Sequence, residues 1–87
     1  MSSINDRLTR LYARATTRTL CTALNEVASS PGAEYTQVRT WLITELERRS
    51  AAAEQAAEAL FTGDRSADQQ TYARTVAHAA RTDPRAT

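Results

Sequence analysis

Lysine is absent from this chain of 87 residues, and cysteine, histidine and tryptophan occur once each. A single cysteine, Cys21, excludes an intramolecular disulfide and a cysteine-based zinc site. A lone histidine, His78, provides no paired imidazoles for a metal. No apolar run approaches the ~20 residues that span a bilayer, and the opening MSSINDRLTRLYAR lacks the apolar stretch of a signal peptide. The expectation is therefore a cytoplasmic protein without membrane attachment. Net charge is only +1, so no global field draws the chain to nucleic acid or to an anionic membrane. No catalytic, metal or nucleotide motif stands out, and the reading is of a non-enzyme with no cofactor and no small-molecule substrate.

Glycine and proline number two each, and they leave long stretches without a helix breaker. Seventeen alanines favour helix and close helix approach. This composition supports an all-α class and, at this length, a single domain over residues 1–87. The segment from Tyr35 to Phe61 is the most apolar. At about 100° per residue, Tyr35, Val38, Leu42, Leu46, Ala53, Ala56, Ala57 and Leu60 fall on one side of a helix. Twenty-seven residues without a breaker would form a rod of roughly 40 Å.

Ahead of it, residues 3–28 read as a first helix whose apolar side changes. Ile4, Leu8, Leu11 and Ala15 make one stripe; Leu20, Leu24 and Val27 make another on nearly the opposite face. Supercoiling drifts only ~20° per heptad and cannot reconcile them. The switch falls in Ala15-Thr16-Thr17-Arg18-Thr19, where the helix either bends or buries opposite faces in its two halves. Continuity is favoured because no Gly or Pro forces a kink. Ser29-Ser30-Pro31-Gly32 is the clearest turn, and Gly63 suits a left-handed cap. A third helix over about 66–81 follows, with Ser66 and Gln69 spaced as a capping box, and buries Tyr72 and Val76. Residues 83–87 read as a disordered tail.

The expected architecture is an antiparallel hairpin of two long helices (about 3–28 and 34–61) plus a shorter third, a three-helix bundle. The third helix is too short to cover the end where Leu20, Leu24 and Val27 meet Tyr35, Val38 and Leu42. Trp41 and Ile43 lie on either side of the stripe there, so the first helix cannot cover both. An uncovered apolar patch holding Trp41, with Leu24, Val38 and Ile43 around it, points to self-association as a homodimer or to a protein partner. The opposite reading is that the first helix bends over the patch, or that Trp41 lies flat on the surface under Arg side chains.

Charge is divided unevenly. Residues 1–30 carry four Arg against Asp6 and Glu26, whereas residues 31–63 carry three Arg against five Glu. Arg7, Arg10, Arg14 and Arg18 recur by threes and fours, and on one helix they would form a ridge able to track phosphates. Four such contacts would give a log-log salt slope of roughly −3.6, which makes a nucleic-acid accessory protein the second functional reading. Glu47, Glu54 and Glu58 line a charged outer ridge. Arg49 falls inside the apolar stripe, where it either snorkels or pairs across an interface. Cys21 reads as a packing residue and His78 as exposed, toward different ends of the bundle.

Val38-Arg39-x-Trp41-Leu42-Ile43-x-Glu45-Leu46-Glu47-Arg48-Arg49 resembles a segment of small uncharacterised helical proteins encoded by actinobacteria, their phages and plasmids. The resemblance implies a phage or plasmid accessory setting and brings no activity with it.

Overall fold

Neither long helix runs unbroken. In the computed structural model, which describes residues 4–63 and 68–86, the chain forms α1 (Ile4–Tyr12), α2 (Thr17–Val27), α3 (Ala33–Arg49), α4 (Ala51–Gly63) and α5 (Gln69–Thr82), with no strand among the described residues. The all-α class holds; the three-helix bundle does not.

The first break lies within the segment where the apolar stripe changes sides. Thr16 has extended backbone (φ −71°, ψ 158°), and its hydroxyl accepts from the Thr19 N–H at 3.1 Å. A threonine that can cap competes with helix continuation through its own side chain. Here that competition wins without a glycine or proline. The two stripes then belong to two helices, and α1 is free to turn back onto α3.

The second break is Ser50, one extended residue (φ −134°, ψ 114°) between two helices. Its N–H donates to the Leu46 carbonyl at 2.9 Å, closing α3. Its hydroxyl accepts from the Ala53 N–H at 3.1 Å, opening α4. The same hydroxyl donates to Asp83 Oδ2 at 2.7 Å, so it is fully used although wholly buried. The second helix, expected over 34–61, therefore folds at an elbow. The whole molecule measures 39 × 30 × 18 Å, and its longest dimension matches the rod expected of one uninterrupted helix.

Three parts of the chain meet at this elbow. Arg49 donates to the Ala15 carbonyl at 2.6 Å, and the Thr17 hydroxyl donates to the Ala86 carbonyl at 2.6 Å. Asp83, which caps the end of α5, also accepts from the Arg85 N–H at 2.9 Å. Residues 83–86 are thus ordered parts of the core margin and not a loose tail. Hydrogen bonds from Ser50, then from the Arg85 N–H, hold the Asp83 carboxyl below the usual carboxylate range. Replacing Ser50 by Ala removes the α4 cap, an expected loss of about 1 kcal/mol, together with its bond to Asp83. Urea melts at neutral pH should show it. The Asp83 share is present above the unfolded carboxyl pKa and fades as pH falls through the lowered folded value. In acid the gap between the two proteins should narrow without closing, since the cap is insensitive to pH.

α2 and α3 run antiparallel. Arg39 donates to the Val27 and Ser30 carbonyls at one end of the pair, while Arg49 reaches Ala15 at the other. Between them Gly32, at φ 112°, supplies the positive dihedral that lets α3 begin at Ala33. Gly63 is instead the last residue of α4 and takes no left-handed conformation. α5 is capped by Asp68, which accepts from the Thr71 N–H at 2.7 Å. The Ser66 expected to cap it lies outside the described residues. α5 packs on α2, α4 and α3, burying Ala73, Val76, Ala77 and Ala80. With Leu20, Leu24, Leu42 and Leu46 these form one core.

Candidate functional site

The apolar patch expected around Trp41 is divided by the fold. Trp41 is half-buried on the flank of α3 that α1 covers, its ring 5.8 Å from that of Tyr12. The first helix does bend over the patch, as the alternative reading had it. Leu24 is wholly buried (0 % exposed) and offers nothing to a partner; α5, packed along α2, reaches the end it was expected to leave bare. Val38 is half-buried against the core.

Ile43 has a different environment. Two residues from Trp41, it lies about 200° around α3 from it, facing an open groove of about 400 Å³. Ile43, Phe61 and Tyr72 bring apolar surface from α3, α4 and α5, and Arg39, Glu47 and Asp68 stand among the lining residues. Phe61 is 67 % exposed. A phenyl ring left largely in water at the mouth of an apolar groove forgoes about 25 cal/mol for each Å² that a partner could cover. The sequence read Phe61 only as the end of the long helix; the Ser50 elbow sets it beside Tyr72.

Carboxylates ring this surface. Glu47, Glu54 and Glu58 line a second, shallower hollow that shares Phe61 and Tyr72 with the groove. The charged outer ridge is therefore the acidic border of an apolar surface. Tyr72 Oη donates to Glu47 Oε1 at 3.1 Å. Burial, and then the Glu47 charge, push the phenol up from its ordinary pKa, so it stays a neutral donor at physiological pH. Arg39, the only basic residue lining the groove among the described residues, is itself buried. Its Nη1 serves the Val27 and Ser30 carbonyls at 2.8 and 2.6 Å, and its Nη2 serves Thr36 Oγ1 at 3.0 Å.

The arginines expected to form one ridge are placed on three elements. Arg7 and Arg10 lie on α1, Arg14 in the following turn and Arg18 on α2. All four are exposed, and no ion pair among the described residues engages them. Beside them Leu11 is 71 % exposed, although the stripe reading put it inward with Leu8; of these two, Leu8 is the buried one. Arg49, set within the apolar stripe, is held inside its own chain. It pairs with Glu45 of its own helix at 2.9 Å while holding the Ala15 carbonyl. Hydrogen bonding from Arg48, ahead of that from Arg49, lowers the Glu45 pKa.

Cys21 is buried, and desolvation raises its pKa despite the opposing charge of Arg81. It is a neutral packing thiol. His78 is exposed. Because α2 begins and α5 ends at the elbow, both residues lie about one turn from that same end rather than at different ends. One points into the core and the other to solvent. Among the described residues no three His, Cys, Asp or Glu side chains form a group that could hold a metal, and no helix is long and apolar enough to cross a membrane.

No protein-family model, curated protein sequence or solved structure matches this chain.

Proposed function

We propose that this chain is a non-enzymatic interaction protein that binds an apolar, basic-flanked protein segment in the groove between α3, α4 and α5. The observation that carries this reading is Phe61, 67 % exposed at an about 400 Å³ groove lined by Ile43 and Tyr72. Large aromatic side chains in pockets are where binding energy concentrates. The carboxylates of Glu47, Glu54, Glu58 and Asp68 favour a basic flank on the occupant. Trp41 serves the fold by docking α1 through Tyr12, Val38 packs against the core, and Leu24 belongs to that core. Of the four residues first assigned to the interface, Ile43 remains.

The test is an amide-resolved NMR titration with two short amphipathic helical peptides, one carrying leucines flanked by arginine and the other its glutamate-flanked counterpart. The arginine peptide should shift resonances around Ile43, Phe61 and Tyr72, and the glutamate peptide should not. Phe61→Asp should weaken binding roughly tenfold, ~1.4 kcal/mol. If neither peptide moves those resonances, the groove is not a binding site.

A nucleic-acid accessory role is the second reading, favoured by the exposure of Arg7, Arg10, Arg14 and Arg18 without ion-pair partners among the described residues. Spread over α1, a turn and α2, they follow a bend rather than a straight ridge. This reading expects DNA or RNA binding at low salt whose affinity falls with added salt and disappears in Arg10→Glu/Arg14→Glu. Absence of binding at low salt would eliminate it.

A further inference from the structure

We infer that the groove's occupant is a second copy of this chain, inserting α1 by its Leu11 face, so that copies associate head to tail. The inference rests on the groove reading above and names its partner. One molecule carries two surfaces of opposite character. The groove offers Ile43, Phe61 and Tyr72 inside a border of carboxylates. α1 offers Leu11, 71 % exposed, with exposed Arg7 and Arg10 beside it. At about 100° per residue, Arg7, Arg10 and Leu11 fall within roughly 100° of arc on α1. This arc excludes Leu8 and Tyr12, which are buried and half-buried respectively. A short helix with an apolar anchor and basic flanks suits an acidic-rimmed apolar groove.

The position of the two surfaces decides the form of the assembly. α1 packs on the Trp41 flank of α3 and the groove opens on the Ile43 flank, about 200° around the helix. Two copies therefore cannot satisfy each other reciprocally. The contact is heterologous, and repetition produces a ring or an open chain instead of a closed dimer. Both surfaces are exposed in the single chain, so association requires no unfolding. The paired charges make it sensitive to salt.

The experiment is light scattering coupled to gel filtration over a concentration series at low and high salt. The wild-type mass should climb past twice 9.6 kDa without a plateau at the dimer, and should fall back in high salt. Leu11→Asp, which spoils the inserted face, and Phe61→Asp, which spoils the groove, should each remain monomeric. Mixed in equal amounts they should pair once, because one chain keeps a working groove and the other a working α1. The mixture should then stop at a dimer. Circular dichroism verifies that both variants remain folded; should either lose helix, Arg7→Glu/Arg10→Glu replaces the first and Glu54→Arg/Glu58→Arg the second.

A wild type that stays monomeric at every concentration overturns the inference. A plateau at the dimer, a single variant that still associates, or a mixture that stays monomeric does so equally. The peptide titration separates the two levels of the argument. A monomeric wild type whose groove still takes the arginine peptide removes only the self-association. A monomer that takes neither peptide removes the groove reading as well.

Discussion

Leu24→Ala should cost about 2–5 kcal/mol of folding stability, the range for emptying a buried leucine site. A chain of this size has only about 4–13 kcal/mol in total. Leu24 has no exposed surface and belongs to the same core as Leu20, Leu42, Leu46 and Val76. α5 fills its surroundings largely with alanines, whose short side chains cannot swing into a cavity. Relaxation should therefore be limited, and the cost should fall toward the upper part of that range. Denaturant melts should show a large loss of stability with an unchanged slope, and a cost under 1 kcal/mol would contradict this core. The result also bears on the interface. Leu24→Asp would abolish association by abolishing the fold, whereas Phe61→Asp changes an exposed ring and tests the surface itself.

Arg39→Met should be the second large effect, about 2–5 kcal/mol. Methionine retains most of the apolar stem but none of the hydrogen bonds. The Val27 and Ser30 carbonyls would each lose a charge-assisted donor, at about 1–3 kcal/mol apiece, and Thr36 would lose a third contact. Those carbonyls end α2 and shape the turn into α3, so the damage should appear first at that connection. Hydrogen exchange should report faster opening over 25–32 ahead of the elbow at Ser50. Arg39→Lys should restore only part of the stability, because an ammonium lacks the planar fork that reaches both carbonyls and Thr36 together. Melts of the three proteins should rank Arg above Lys above Met. Equal stability of Met and Arg would mean that the guanidinium bonds contribute nothing net.

Both effects concern residues whose importance lies in where neighbouring segments return. Leu24 read as a member of an open patch because a straight first helix leaves that end beyond the third. Arg39 drew no structural assignment at all. Its spacing matches no ion pair, and the two carbonyls that its Nη1 serves lie nine and twelve residues earlier. Such bonds leave no side-chain signature. The acidic ridge of Glu47, Glu54 and Glu58 was legible as a ridge. Its role as the border of an apolar groove required Tyr72 to arrive from α5.

Periodicity and composition were enough for the all-α class, for the turn at Pro31-Gly32, for the burial of Leu42, Leu46 and Val76, and for the exposure of His78. Each depends on local spacing or on a backbone preference that a few residues express by themselves. The two breaks were another matter. Thr16 and Ser50 can each sit inside a helix or cap one, at similar local cost. The choice is settled by what the break allows: α1 lying on Trp41, and the Ser50 hydroxyl meeting Asp83 from 33 residues away. Burial summed over the whole chain outweighs the few helical hydrogen bonds given up at each break. It also decides that Ile43 and Phe61, rather than Trp41 and Leu24, face the open groove.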